Sequence, residues 1–188
     1  MGTIDSRNSQ TSSKRVEPAP GVLYVVGTPI GNLGDLSPRA KSILTKVSVI
    51  ACEDSRRSGL LLKTLGTKST LLSFHQHNTK SRIPQLIELL KEKKSLALIS
   101  DAGLPGISDP GEELIAKARE FNFEVICIPG ACAAITALVS SGLSSKRFCF
   151  EGFLPIKGKE RDKALEELAK EKRTSIIYES PHKLIKLL

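Results

Sequence analysis

Short apolar segments alternate with stretches of helical periodicity along most of the chain. Five segments are short, apolar and rich in β-branched residues, which is typical of buried strands: Val22–Val26, Val47–Ala51, Leu71–Phe74, Leu96–Ile99 and Glu124–Ile128. Between them, apolar side chains recur three and four residues apart, as in Ile83, Leu86, Ile87 and Leu90. The alternation predicts an α/β domain with a mainly parallel sheet and flanking helices.

Local sequence signals give approximate bounds for the intervening helices. Ser37-Pro38 supplies an N-cap and a proline at the first helical position, and Gly66 is suited to end a helix. The predicted helices begin at Pro38, cover Gly59–Leu65, surround Ile83–Leu90, and extend over Leu114–Phe121 and Ala131–Val139.

The pattern restarts after Gly142. A strand at Phe148–Phe150, a helix at Glu160–Glu171 and a strand at Ser175–Tyr178 are predicted, and Ser180-Pro181 opens another helix. We therefore expect three parts: a disordered lead-in over residues 1–20, an N-terminal α/β domain over residues 21–145, and the truncated start of a C-terminal α/β domain over residues 146–188.

The amino-acid composition argues against membrane-spanning, secreted and disulfide-rich proteins. The 188 residues are 40% apolar and contain no apolar run long enough to cross a membrane, and the N-terminus lacks the apolar centre of a secretory signal. The four cysteines show no C-x-x-C spacing, so we expect reduced, buried thiols in a cytoplasmic protein rather than zinc or disulfides.

The net charge of +8 favours a polyanionic partner such as nucleic acid. The last 43 residues hold 11 basic and 7 acidic side chains, so half of the excess lies there. Either this segment presents a basic face to phosphates, or Lys157–Arg173 is a solvated helix of mixed charge. Aromatic residues are only 4% and tryptophan is absent, which argues against aromatic base-stacking platforms.

Unusual sequences follow the predicted strands, where ligands of open parallel sheets bind. These are Gly27–Gly34, Glu53–Arg57, Ser100–Gly111 and Pro129–Ala134. None is a dinucleotide fingerprint, a P-loop, an H-E-x-x-H or a G-x-S-x-G motif, which disfavours hydride transfer, phosphoryl transfer and acyl hydrolysis.

Each loop allows a functional and a structural interpretation. Asp101 and Asp109 would suit a ligand with a cationic centre, although Asp109 is equally suited to begin the next helix. The small residues of Pro129–Ala134 allow a flat ligand to approach the backbone, or allow tight helix–sheet packing. Glu53–Arg57 would position a hydroxyl group or form a salt-bridged helix start. His75 and His77 lack further ligands, so no metal site is expected.

Eight motifs in order resemble one family. They are Gly27–Leu33, Glu53–Arg56, Ser73–His75, Ser100–Gly103, Ser108–Gly111, Ile128–Ala131, Gly152–Pro155 and Tyr178–His182. The set is similar to the ribosomal RNA small subunit methyltransferase I family of the tetrapyrrole methylase superfamily. The resemblance runs from about Gly21 to the end of the chain.

The resemblance implies a homodimeric enzyme that uses S-adenosylmethionine to methylate the 2′-hydroxyl of a cytidine in 16S rRNA of the small ribosomal subunit. It also implies two α/β domains with the cofactor in the cleft between them. By motif, the cofactor contacts would be Pro29, Gly31, Ser100, Asp101, Ala102, Gly103, Ser108, Pro129, Gly130, Ala131 and Leu154. The candidates for activating the ribose hydroxyl are Glu53, Asp54 and His75, and those for RNA phosphates are Arg56, Asn78, Lys80, Arg82 and His182.

Departures from the family pattern affect side chains more than backbone. Leu104 stands where threonine is usual, Cys132 where serine is common, and Ala131 where proline is common. Two alternatives stay open: methylation of a tetrapyrrole precursor on the same fold, and a non-catalytic RNA-binding relative, because fold does not fix substrate.

Overall fold

A computed structural model describes residues 16–187 of the chain. Its central element is a five-stranded parallel sheet in the order β3-β2-β4-β1-β5. The strands are β1 (Val22–Val26), β2 (Val49–Cys52), β3 (Thr70–Ser73), β4 (Leu96–Ile99) and β5 (Glu124–Ile128). The predicted parallel α/β sheet is confirmed, and all five strands have their carboxyl ends at one edge of it.

Five helices connect or follow these strands: α1 (Pro38–Lys46), α2 (Ser55–Leu65), α3 (Thr79–Lys91), α4 (Glu112–Glu120) and α5 (Ala133–Ser141). Helix α2 begins four residues earlier than predicted, because the Asp54 side chain accepts a hydrogen bond from the Arg56 N–H and caps the helix. Helix α5 begins two residues later than predicted, since Cys132 still has extended backbone.

Two apolar layers cover the sheet. One contains Tyr24, Leu44 and Ile50, and the other contains Leu23, Leu86 and Leu114; the side chains of all six are fully buried. Strand β5 lies at the edge of the sheet, where Cys127 is exposed. All four cysteines are free, but only Cys52 is buried, so the predicted burial is wrong for Cys127. Edge position, which the apolar sequence does not reveal, accounts for the difference.

A second, two-stranded parallel sheet follows. It contains β6 (Phe148–Phe153) and β7 (Thr174–Tyr178), joined by α6 (Lys159–Lys170). Strand β6 is longer than predicted because it continues through a register shift between Phe150 and Gly152, where the glycine adopts φ +62°. A 3₁₀ turn at Pro181–Lys183 then leads into α7 (Leu184–Leu187).

The predicted lead-in lies mostly outside the described residues, which start at Val16. Its last part packs against the domain. Glu17 forms an ion pair with Arg39 at 2.6 Å, and the buried Ala19 donates its N–H to the Tyr24 hydroxyl at 2.8 Å. Among the described residues, Glu17 and Ala19 of the predicted lead-in are therefore part of the packed domain.

Candidate functional site

Two glycines bring the ends of β1 and β5 into backbone contact. A Cβ atom built on Gly27 would lie 2.7 Å from the Gly130 Cα, and one built on Gly130 would lie 2.8 Å from the Gly27 Cα. Side chains at these positions would overlap the facing backbone. The contact places Thr28 beside the turn that leads into α5.

The loop after β4 is tied to the loop after β1. Thr28 and Gly103 exchange two backbone hydrogen bonds, of 2.9 and 3.1 Å, in an antiparallel bridge. The buried Thr28 hydroxyl also donates to the Ser100 carbonyl at 3.3 Å, and the buried Ser100 hydroxyl lies 3.4 Å from the carbonyls of Ala102 and Gly103. Gly103 itself adopts φ +87°, a conformation that glycine accepts readily. These bonds fix the loop against the sheet.

Three acidic side chains, Glu53, Asp101 and Asp109, lie in the loops after β2 and β4 and influence one another electrostatically. Asp101 accepts a hydrogen bond from the Asp54 N–H at 3.2 Å and pairs with Arg57 at 3.3 Å. Burial raises the pKa of Glu53, and the negative charges of Asp109 and Asp101 raise it further. Burial likewise raises the pKa of Asp109, against a hydrogen bond from Ser100 that lowers it. The cluster creates a negative potential that favours a cation.

A cavity of about 280 Å³ opens beside these loops. It lies between the first sheet and the β6–β7 sheet, and it is lined by Ile30, Ala102, Gly103, Leu104, Ile107, Ser108, Asp109, Cys132, Ala133, Phe153 and Tyr178. A second cavity of about 440 Å³ shares Phe153 and is lined further by Leu154, Ile156, Arg161, Glu179, Ser180 and Lys183. Together they form a mainly apolar cleft with a few polar groups, as small-molecule sites have.

The predicted cofactor contacts divide into two groups. Ala102, Gly103 and Ser108 line the 280 Å³ cavity, and Leu154 lines its neighbour. The others line neither cavity: Pro29, Gly31, Ser100, Asp101, Pro129, Gly130 and Ala131. Further cavity residues lie in the loops and motifs singled out above but were not named as contacts: Ile30, Leu104, Ile107, Asp109, Cys132, Ala133, Phe153 and Tyr178. The motifs indicated the segments that contain them, but not that these side chains would face the cavity.

The three candidate bases have different surroundings. Glu53 is half-buried within the acidic cluster. The Asp54 carboxylate caps α2, and hydrogen bonds from Arg56 hold its pKa below the ordinary value. His75 has a buried Nδ1 atom without a hydrogen-bond partner among residues 16–187, and its Nε2 lies 3.3 Å from the Asn78 Nδ2. Asp54 is thus engaged in helix capping, whereas the pKa of Glu53 is raised and its carboxylate is the better proton acceptor of the two acids.

The candidate RNA contacts are spread over two elements and the C-terminal segment. Arg56, Lys80 and His182 are exposed, and Arg82 donates to the Gln85 side chain at 2.8 Å. Asn78 is different: its Oδ1 accepts from the His75 N–H at 2.9 Å, and its Nδ2 donates to the Ser73 carbonyl at 3.0 Å. The phosphate contact at Asn78 stays a prediction, and both polar atoms of its amide also hold the turn before α3.

Helix α6 has the character of a solvated helix. None of its residues is buried, and Lys163 and Glu167 form an i,i+4 ion pair at 3.8 Å. Within residues 16–187 we find no group of three or more histidine, cysteine or acidic side chains arranged to hold a metal ion. No helix in that range has the length and apolar character needed to cross a membrane.

Comparison with known proteins identifies relatives of this arrangement. Residues 22–188 match the family described as Tetrapyrrole (Corrin/Porphyrin) Methylases. Proteins named Ribosomal RNA small subunit methyltransferase I are 52% identical in Synechocystis sp. and 49% identical in Escherichia coli O157:H7, over 89% and 88% of this chain. The chain spans 60% and 58% of those two proteins.

Solved structures with low identity share the fold. The crystal structure of diphthine synthase has a TM-score of 0.67 at 14% identity, over 86% of this chain and 64% of that chain. Uroporphyrin-III-C-methyltransferase from Thermus thermophilus has a TM-score of 0.54 at 22% identity, over 72% of this chain and 60% of that chain. Both show that the fold of this chain also occurs in solved structures.

Proposed function

The chain belongs to the tetrapyrrole methylase family, and on that premise we propose that it serves S-adenosylmethionine-dependent methylation of the 2′-hydroxyl of a cytidine in 16S rRNA. One observation carries the proposal: a cleft between two sheets combines a backbone cradle with a carboxylate cluster that favours a cation. The names of the relatives that are about half identical to this chain support the RNA substrate.

The residues at the cleft fit the cofactor. Gly103 and Ala102 leave the backbone of the β4 loop open to a ligand, and Ala133 adds another small side chain at the start of α5. Asp109 on the cavity wall complements a positive charge. S-adenosylmethionine supplies an electrophilic methyl group on a cationic sulfonium. Ala102, Gly103, Ser108 and Asp109 are the residues of this chain that would hold it.

For such a displacement, the protein must hold the ribose hydroxyl in line and accept its proton. Glu53 suits the second task because burial and neighbouring carboxylates raise its pKa, which makes it a better proton acceptor than an exposed glutamate. His75, which follows β3, is the second candidate, and its Nε2 lies 3.3 Å from the Asn78 Nδ2. Asp54, engaged with Arg56, instead positions the start of α2.

Exposed basic side chains support an RNA partner. Arg56, Lys80 and His182 are exposed to solvent, although Arg56 also pairs with Asp54 at 3.3 Å, and the net charge of +8 favours phosphates. We further propose that the active form is a homodimer that acts on the small ribosomal subunit in the cytoplasm.

Incubation of the protein with methyl-labelled S-adenosylmethionine and undermethylated 30S subunits tests this function. Label should enter 16S rRNA and be recovered as 2′-O-methylcytidine after digestion. Label found only in an added tetrapyrrole precursor would instead support the alternative substrate class. Binding of 30S subunits without any binding of S-adenosylmethionine would support the non-catalytic alternative.

Asp109→Asn is expected to weaken S-adenosylmethionine binding by about tenfold while changing S-adenosylhomocysteine binding much less. The neutral amide no longer complements the sulfonium charge, which only the first ligand carries. Isothermal calorimetry with both ligands measures the difference. Equal losses for the two ligands would show that Asp109 does not face the sulfonium.

The same substitution should stabilise the unliganded protein at neutral pH. Because the folded pKa of Asp109 is raised, the stability associated with this group is present at low pH and is lost as the pH rises through that pKa. Asparagine removes this loss, so the difference in unfolding temperature between variant and wild type should shrink below the ordinary aspartate pKa. A lower unfolding temperature for the variant at neutral pH would contradict the assignment.

A further inference from the structure

Tyr178 is the last residue of β7, and its ring lies where the second sheet meets the first. It packs edge-to-face against Phe150 and Phe153, with ring centroids at 4.9 and 5.5 Å. It also contacts the small apolar cluster of Ala134, Leu138 and Ile176. One side of the ring therefore belongs to the β6–β7 sheet, and the residue as a whole forms part of the 280 Å³ cavity wall.

The Tyr178 hydroxyl also serves the N-terminus of α5. The first N–H groups of a helix lack partners within the helix, and a capping side chain normally supplies one. Here the N-cap residue, Cys132, makes no side-chain capping bond. Instead the N–H of Ala134, a residue only 4% exposed, donates to the Tyr178 hydroxyl at 3.1 Å across 44 positions of sequence.

We infer that Tyr178 is a positioning residue, which caps α5 from the second sheet and so sets the two walls of the cofactor cavity relative to each other. On one wall, Cys132 and Ala133 precede the capped amide; on the other, Phe153 packs on the same ring. The inference rests on the proposed function for the identity of the ligand. It assigns to Tyr178 no contact with the reacting atoms.

Removal of the Tyr178 hydroxyl tests the capping of α5 without removing the packing contacts of the ring. In Tyr178→Phe the ring keeps its contacts with Phe150 and Phe153, but the buried Ala134 N–H loses its acceptor. The start of α5 then gains freedom at the point where it lines the cavity. Ligand affinity should fall because the binding geometry is no longer held in advance.

The chain offers a matched control. Its only other tyrosine, Tyr24, accepts a hydrogen bond from the Ala19 N–H at 2.8 Å and is fully buried, but it does not line either cavity described above. We expect Tyr178→Phe and Tyr24→Phe to lower the unfolding temperature by similar amounts. Only Tyr178→Phe should weaken S-adenosylhomocysteine binding, by about five- to tenfold. Equal affinities in both variants and wild type would overturn the inference.

Tyrosine fluorescence tests whether the ligand binds at the wall that Tyr178 forms. The chain contains two tyrosines and no tryptophan, so in Tyr24→Phe all of this emission comes from Tyr178. Titration with S-adenosylhomocysteine should change that emission with the same midpoint that calorimetry gives. Calorimetric binding without any change in emission would place Tyr178 away from the ligand and overturn the inference.

Amide hydrogen exchange separates this inference from the proposed function. The Ala134 amide should exchange faster in Tyr178→Phe than in Tyr24→Phe without any ligand present, because only the former loses its acceptor. If wild type binds no S-adenosylmethionine, the proposed function fails, while faster exchange still supports the cap. Unchanged exchange at Ala134 overturns the cap whatever the ligand result.

Discussion

Gly130→Ala is expected to lower the free energy of unfolding by about 3 kcal/mol or more, the upper part of the range for overpacked sites. The added Cβ would lie 2.8 to 2.9 Å from three backbone atoms of Gly27, and neither strand end is free to move. Strand β1 is hydrogen-bonded on one side to β4 and on the other to β5, so separation of the two glycines disturbs the ladder itself. Urea unfolding measures the change.

The matched control for this prediction is Gly59→Ala. Gly59 lies inside α2, and a Cβ there would meet nothing within 4 Å. Alanine is the better helix former, so this variant should gain up to about 1 kcal/mol. If Gly130→Ala were as stable as the wild type, the loops that contain Gly27 and Gly130 would have to be farther apart than in the structure.

Gly103→Val is expected to reduce S-adenosylhomocysteine affinity more than about a hundredfold. The first side-chain atom alone would come within 3.4 Å of the Ile30 side chain and 3.5 Å of the Ala131 carbonyl, and the two further methyl groups must occupy the cavity that Gly103 lines. The left-handed backbone, at φ +87°, adds a strain of about 1–2 kcal/mol for a β-branched residue. Calorimetry gives the affinity, and thermal unfolding gives the stability.

Gly66→Val is the control for Gly103→Val, because it introduces the same backbone strain without filling the cavity. Gly66 caps α2 at φ +69° and has nothing within 4 Å of its Cβ position. This variant should lose comparable stability and keep its affinity. If Gly103→Val binds as tightly as Gly66→Val, the cofactor site lies elsewhere.

Local sequence patterns were sufficient for most of the fold. The bounds of β1, β4 and β5 agree with those expected from their apolar runs. Strands β1 and β4 are buried and continuously apolar, whereas the edge strand β5 is only partly buried. Two boundaries were predicted less accurately. The start of α2 depends on the Asp54 side chain, which caps the helix, and the length of β6 depends on the register shift at Gly152.

Sequence composition indicated the loops that line the cavity, but not which of their side chains face it. Composition identified the loop that contains Gly103 and Ser108, and both residues line the cavity. The role of Asn78 could not be read in the same way, because an amide before a helix serves a turn and a phosphate equally well in sequence. Tyr178 lies 44 positions from the amide it binds, beyond the reach of any local pattern.

The sequence by itself determined the parallel α/β architecture, the ordered motifs of the family and the loops at the carboxyl ends of the strands. Hydrophobic periodicity and turn-forming residues depend on residues that are close in sequence, so they can be recognised without knowledge of the fold. Only the tertiary structure decided which loop atoms face the cleft, that Glu53 and Asp109 share one negative environment, and that the second sheet caps α5. These features depend on contacts between residues far apart in sequence and on the burial of their side chains. Contacts and burial of this kind exist only in the folded chain.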